Sequence, residues 1–135
     1  KKNIILVGTP TWSQDVDTAA KSPVKGYSNI MYTFHFYAAT HGSQYRKKVQ
    51  AAIDRGLPVF VSEFGVSESS GNGHIDKTEA DKWISFLRKN KISYVCWSLS
   101  NKAESCSLLK SSSTRTGNFK TSDLSTAGKW YKTVK

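Results

Sequence analysis

The chain has 135 residues, of which 38% are hydrophobic and 22% charged, and its formal net charge is +10. This length suits one globular domain, and no apolar run approaches the ~18 residues that a membrane span requires. A basic balance is typical of proteins that bind nucleic acids or anionic polymers. The lysines and arginines are scattered, however, so we interpret them as a solvated outer surface and expect neither nucleic acid nor membrane as a partner.

Four short apolar runs are predicted to form strands, because each is rich in β-branched or aromatic residues and has the length of a buried parallel strand. They cover residues 3–8, 30–36, 58–62 and 93–98. The first run is too short for the core of a signal peptide. A chain that opens on a strand is expected to be a mature domain or a piece of a longer one.

Helical patterns separate the later strands, while an irregular crossover joins the first two. Apolar side chains recur at helical spacing in three segments, 44–55, Lys77–Lys89 and 122–134. We expect Gly56 to follow the end of the first helix. Asp76 or Thr78 is expected to cap the second helix, and Ser125 offers an alternative start for the third.

This alternation of strands and helices predicts an α/β fold with parallel strands. A (β/α)₈ TIM barrel uses ~31 residues for each of its βα units, so the chain fits about four units, half of such a barrel. The alternative is a complete doubly wound domain, which normally carries a glycine-rich phosphate turn after its first strand. Here that strand is followed by GTPTWS at residues 8–13, which is not a phosphate loop.

Every predicted strand delivers an aromatic or titratable side chain at its C-terminal end, the end where parallel sheets carry their chemistry. In chain order these are Trp12 after the first strand, His35 and Tyr37 at the end of the second, Glu63 after the third, and Trp97 at the end of the fourth, with Lys102 and Glu104 just beyond. The strand period of two places His35 and Tyr37 on one side. Each residue alone has a structural explanation, Glu63 as a solvated acid or an arginine partner for example, but together they predict a site.

The residue types at this rim favour a sugar polymer as the ligand. Pyranose rings pack their C–H faces on indole planes, and their hydroxyls bond to polar side chains. A phosphate ligand would need arginines and amide nests, which are missing there.

The histidines and cysteines are not expected to bind a metal, and no cofactor is expected. His35, His41 and His74 have no metal-ligand spacing with either cysteine. A disulfide between Cys96 and Cys106 remains open.

Four motifs resemble the C-terminal half of a glycoside hydrolase family 5 cellulase, of the bacterial endo-β-1,4-glucanase kind. They are ILVGTPTWSQ at residues 5–14, MYTFHFYA at 31–38, VFVSEFG at 59–65 and WSLSNK at 97–102. Matches run in family order over essentially the whole chain. The resemblance implies a (β/α)₈ barrel in which the four strands are the fifth to the eighth, a β-glucan substrate and a secreted protein.

The resemblance also implies a role for each rim residue. It makes Glu63 the nucleophile, Tyr37 the phenol that bonds to it, His35 the imidazole that contacts the acid/base carboxylate, Trp97 the platform at the cleavage point, Trp12 a contact on the leaving-group side, and Lys102 with Glu104 polar contacts on the other side of the glucan. Our own interpretation agrees, because a neutral phenol can steady an anionic Glu63 without protonating it.

The chain departs from the family at the second carboxylate. A retaining glycosidase needs two carboxyl groups about 5–5.5 Å apart, and the family's acid/base lies in an Asn-Glu-Pro motif that this sequence lacks. We therefore expect weak or no activity from the isolated chain.

A half-barrel also leaves strand edges and apolar side chains uncovered. We expect its partner to be a missing N-terminal half-barrel or a second copy in a homodimer. Two further hypotheses are a glucan-binding module without turnover and a self-assembling structural fragment.

Overall fold

The computed structural model describes residues 3–134 and contains one four-stranded sheet in the order β1-β2-β3-β4. All neighbouring strands are parallel, which confirms the predicted α/β class. The elements are β1 (Ile5–Val7), α1 (Pro10–Ser13), α2 (Val16–Ala19), β2 (Ile30–Tyr37), α3 (Ser43–Asp54), β3 (Val59–Gly65), α4 (Lys77–Lys89), β4 (Tyr94–Cys96), a 3₁₀ turn (Thr121–Asp123) and α5 (Thr126–Tyr131). Within this described part, no helix has both the length and the apolarity needed to cross a membrane.

The predicted helices form with one clear error. Helix α4 has the predicted bounds, and its cap Asp76 accepts a hydrogen bond from the Glu79 amide at 2.9 Å. The third predicted helix, 122–134, was too long. Leu124 has extended backbone, so α5 begins only after Ser125, whose hydroxyl accepts from the Gly128 amide at 3.0 Å.

Strand β3 is longer than predicted and contains an irregularity that matters for the site. Phe34 of β2 pairs with Val61, but the next residue, His35, pairs with Glu63, so Ser62 is an extra residue on β3. Successive strand residues normally point to opposite faces. The bulge resets this alternation, since Val61 and Phe64 are fully buried while both residues between them are partly exposed.

The core lies between the sheet and the helices and is largely aromatic. Phe34, Phe36 and Phe64 are fully buried, as is Trp83 of α4. The Trp83 ring stacks on Phe36 with ring centroids 4.0 Å apart. These contacts fix β2 and β3 side by side, and these two strands carry the central residues of the candidate site.

Apolar side chains at both outer strands remain exposed. On β1, Ile5 and Leu6 are 46% and 41% exposed, and at β4 Val95 is 51% exposed. Within residues 3–134, β1 and β4 each pair with a single neighbour. The sheet therefore has the two open edges expected of half a barrel.

Candidate active site

Three of the predicted residues converge at the C-terminal ends of β2 and β3. The Tyr37 hydroxyl donates to Glu63 Oε1 at 2.8 Å, and His35 Nδ1 lies 3.8 Å from Glu63 Oε2. The side chains of His35 and Glu63 are each 28% exposed. The bulge-shifted register, which pairs His35 directly with Glu63, brings the imidazole beside the carboxylate.

The protonation states of Tyr37 and His35 suit an anionic neighbour. Burial raises the pKa of Tyr37 well above its usual value, and the hydrogen bond to Glu63 raises it further. The phenol therefore stays a donor. Burial lowers the pKa of His35, and the nearby Glu63 charge opposes this only in part, so the ring is neutral near pH 7.

Ser62, the extra residue of the bulge, binds the far side of the His35 ring. Its Oγ lies 2.8 Å from His35 Nε2. A neutral ring beside a carboxylate favours its proton on the nearer nitrogen, Nδ1, so we infer that Nε2 accepts from the Ser62 hydroxyl. Ser62 was not predicted as a site residue, because strict alternation along the strand would turn its side chain away from the face of the sheet that carries Glu63.

Gly65 has a steric reason to be glycine. A Cβ at this position would lie 2.6 Å from two carbons of the Tyr37 ring, closer than side chains approach. The phenol packs against the backbone of β3 and from there reaches Glu63.

An open cavity of about 620 Å³ lies over these groups, a size typical of ligand sites. Its lining residues are Trp12, Ser13, Gln14, His35, Tyr37, His41, Glu63 and Ser69. Trp12, which lines this cavity, is 84% exposed. The site thus combines a held carboxylate with an exposed aromatic face.

His41 is a second residue that sequence analysis did not assign to the site. Its buried ring accepts the Tyr37 amide at Nδ1 at 2.8 Å, and its backbone carbonyl accepts the Trp83 indole N–H at 2.6 Å. The Gln14 side-chain amide nitrogen lies 3.3 Å from its other ring nitrogen. Burial lowers the His41 pKa. The feature of the sequence that could have pointed to His41 is its position, four residues after Tyr37 and in the turn that follows β2.

The remaining predicted residues lie along the β4 side. The Trp97 amide donates to the Phe64 carbonyl at 2.7 Å, which holds Trp97 beside the end of β3 with its side chain half exposed. Lys102 Nζ pairs with Glu104 Oε2 at 2.6 Å, and both line a separate cavity of about 290 Å³. The hydrogen bond from Lys102 lowers the pKa of Glu104. Lys102 and Glu104 thus lie together, but neither they nor Trp97 line the cavity over Glu63.

The two cysteines are not bridged to each other. Cys96 and Cys106 are both free thiols, and burial raises the pKa of each to about 12. Among residues 3–134, no cluster of three or more His, Cys, Asp or Glu side chains could hold a metal ion.

Comparison with known proteins gives one family. The profile described as Cellulase (glycosyl hydrolase family 5) matches residues 1–103. An endoglucanase from Clostridium saccharobutylicum is 49% identical over 130 residues, which cover 96% of this chain and 29% of that protein. The chain thus spans less than a third of this relative.

Solved structures agree with the sequence matches. The cellulase Cel5C_n superposes with a TM-score of 0.89 at 44% identity, over 96% of this chain and 39% of that chain. The catalytic domain of Thermobifida fusca endoglucanase Cel5A, solved in complex with cellotetraose, has a TM-score of 0.83 at 34% identity, over 94% of this chain and 44% of that chain. The four-stranded sheet corresponds to half of a TIM barrel in these cellulases.

Proposed function

This chain belongs to glycosyl hydrolase family 5, and we propose that residues 1–135 are the C-terminal half-barrel of an endoglucanase catalytic domain. The half supplies the nucleophile for hydrolysis of internal β-1,4-glucosidic bonds in cellulose or related β-glucans. The observation that carries the proposal is the Glu63 carboxylate, held by Tyr37 at 2.8 Å in a cavity lined by an exposed indole.

The chemistry is a retaining double displacement. Glu63 attacks the anomeric carbon and forms a covalent glycosyl-enzyme, while a carboxylic acid from the other half protonates the leaving oxygen. The same acid, now a carboxylate, takes a proton from water as the water attacks and releases Glu63. Tyr37 binds Oε1 of Glu63, which leaves Oε2 for the attack, and neutral His35 stands beside that oxygen.

The predicted aromatic and charged residues of the Glu63 cavity, of the β4 side and of the separate Lys102–Glu104 cavity together form the glucan groove. Trp12 and Trp97 offer indole faces to pyranose rings on the two sides of the cleavage point. The Lys102–Glu104 pair, in its own cavity, bonds to glucan hydroxyls further along the chain. Cellotetraose in the Thermobifida fusca relative supports a β-1,4-glucan as the ligand.

The acid/base carboxylate must come from a complementary half-barrel. The exposed apolar residues of β1 and β4 support closure with a partner at both sheet edges. A second copy would bring another Glu63 and no dedicated acid, so the N-terminal half of an endoglucanase is the better partner. Because the polymer cannot enter a cell, the assembled enzyme acts outside it.

The proposal is tested by reconstitution. The purified chain is mixed with the N-terminal half-barrel of the Clostridium saccharobutylicum endoglucanase and assayed on carboxymethyl-cellulose. We expect little or no turnover from either part alone and hydrolysis from the mixture. Glu63→Gln should abolish this hydrolysis, while the matched substitution Glu68→Gln, in the loop after β3, should leave it intact. Full activity of the Glu63→Gln mixture would disprove the assignment.

A second candidate function is glucan binding without turnover, favoured by the exposure of Trp12 and by Glu63 being the one carboxylate among the described residues that line the cavity. Here the isolated chain binds cello-oligosaccharides, and the mixture with an N-terminal half binds but does not hydrolyse them. The same reconstitution therefore separates the two functions.

A further inference from the structure

We propose that a polar relay from Thr11 through Asp15 to Lys48 positions Trp12, so that helix α3 on the outside of the sheet helps to set affinity in the glucan groove. The choice of glucan as the ligand rests on the proposed function. The positioning itself rests on the geometry of α1 and can be tested without any ligand.

The backbone around Trp12 adopts a conformation that these residues avoid. Thr11, Trp12 and Ser13 have φ values of 55°, 52° and 62°, all in the left-handed region. None of the three is a glycine, and Thr11 is β-branched, so each conformation is unfavourable by itself. Three consecutive residues keep such a backbone conformation only where several surrounding contacts hold it in place.

One set of contacts ties the turn to the sheet. The Thr9 hydroxyl donates to the Thr33 carbonyl at 3.0 Å. The Ser13 hydroxyl lies 2.7 Å from that of Thr33, and both residues are buried. These contacts hold the two ends of the turn against β2, but they do not touch the residues at its tip.

A second set of contacts holds Thr11, at the tip of the turn, and connects it to helix α3. The Thr11 hydroxyl donates to Asp15 Oδ2 at 2.6 Å, and Lys48 Nζ donates to Asp15 Oδ1 at 2.5 Å. Lys48 also lies 5.2 Å from the centre of the Tyr45 ring. Its ammonium is therefore held from two sides, and through Asp15 it fixes the residue directly before Trp12.

Because Trp12 is highly exposed, these hydrogen bonds have a direct effect on the direction of its indole ring. With 84% of the residue exposed, packing restrains the indole little, and its direction follows from its own backbone. A pre-set indole loses less conformational freedom when a sugar stacks on it. Loosening the relay should therefore weaken binding without touching Glu63 or Tyr37.

The test compares two neighbouring lysines in the full chain. Lys48→Gln removes the contact to Asp15, and Lys47→Gln, at an exposed position one residue earlier on α3, is the matched control. NMR measures the strong intraresidue amide–Hα contacts that positive φ produces at Thr11, Trp12 and Ser13. Tryptophan fluorescence measures the Kd for cellotetraose.

We expect Lys48→Gln to lose the positive-φ signature and to raise the Kd about fivefold, as expected for one partly exposed ionic contact. Lys47→Gln should change neither the NMR signature nor the Kd. Lys48→Arg, which keeps the positive charge, should resemble the wild type in both measurements. Thr11→Val removes the other link and should reproduce Lys48→Gln. In the reconstituted mixture, KM should rise while kcat stays unchanged.

An unchanged signature and an unchanged Kd in both Lys48→Gln and Thr11→Val would overturn the proposal. Equal losses in Lys47→Gln and Lys48→Gln would also overturn it, because the effect would then be one of general charge. If the wild-type chain binds no cellotetraose, the ligand assignment fails, and the NMR signature alone then decides the relay.

Discussion

Gly65 and the Tyr37 ring share one small space, and this contact controls how the phenol meets Glu63. The ring carbons would lie 2.6 Å from a Cβ at position 65. We expect Gly65→Ala to push the ring aside and break its hydrogen bond to Glu63. Without this bond Glu63 is no longer held for attack, and a misplacement of about 1 Å can cost about hundredfold in rate, so formation of the glycosyl-enzyme in the reconstituted mixture should slow about tenfold to hundredfold.

The control for Gly65→Ala is Gly8→Ala, since no atom lies within 4 Å of a Cβ at position 8. A second control repeats Gly65→Ala in a Tyr37→Ala background, where it should cause no further loss. An equal further loss in that background would show that the ring contact is not the cause. Stopped-flow measurement of the first turnover gives the rate.

His41 links the stability of the chain to pH. Burial lowers its pKa below the usual 6.5, and His35 is shifted in the same direction, so the unfolded chain binds these protons more readily. Their contribution to the free energy of unfolding is therefore complete above pH 6.5 and is lost as the pH falls below it. The slope is at most about 1.4 kcal/mol per pH unit for each histidine.

Urea unfolding between pH 7.5 and 5 tests this prediction. The titration of Asp15 and Glu104, whose pKa values are lowered from 3.8 and 4.5, begins only at the acid end of that window and is common to every protein compared. His41→Asn should flatten the pH slope, whereas the same change at exposed His74 should leave it as in the wild type. A slope that is the same in all three proteins would refute the role of His41.

The period of two and the strand order suffice to predict that His35, Tyr37 and Glu63 come to one end of the sheet, and the structure places them together there; their roles stay a prediction. Ser62 could not be found in this way. Its position depends on the bulge opposite Phe34 and His35, which arises from pairing between distant strands. The left-handed run at Thr11 also depends on long-range contacts, with Thr33 and Lys48.

At the level of elements, helix α5 is placed by a glycine that allows close approach. A Cβ on Gly128 would lie 1.9 Å from the Leu108 carbonyl oxygen, a backbone atom that also accepts the Ser125 amide at 3.0 Å. We expect Gly128→Ala to lower the free energy of unfolding, because the clash of about 1–3 kcal/mol outweighs the gain of about 1 kcal/mol in helix propensity.

Urea denaturation of Gly128→Ala and Gly117→Ala measures this effect. Gly117 has open space around its would-be Cβ and no positive φ, so its replacement should be nearly neutral. A Gly128→Ala chain as stable as the wild type would show that α5 shifts freely on the segment beneath it.

The elements also show which sequence signals are sufficient. Helix α4 was predicted to the residue because it has a strong apolar face, the Asp76 cap and basic residues in its last turn. Strand β3 was predicted to end at Ser62, since the charged residue Glu63 hid a pairing that continues to Gly65. The polar side chain interrupts the apolar pattern of the sequence. Pairing between strands is made by backbone groups, however, and does not require apolar side chains.

At the scale of the whole molecule, the chain is half of a closed architecture. In our proposal, the open edges at β1 and β4 and the lone carboxylate of Glu63 among the described residues that line its cavity have the same origin, since a complementary half-barrel would supply both further strands and the second carboxylate. One complementary half-barrel should therefore both pair with the open strand edges and supply the second carboxylate.

Covalent trapping tests the central claim most directly. The reconstituted mixture is incubated with an activated 2-deoxy-2-fluoro-cellobioside, which forms the glycosyl-enzyme but releases it slowly, and its peptides are mapped by mass spectrometry. We predict one added 2-deoxy-2-fluoro-cellobiosyl group on the peptide that contains Glu63, and none in the Glu63→Gln mixture. A label on any other carboxylate, in a mixture that hydrolyses glucan, would contradict the assignment of Glu63 as the nucleophile.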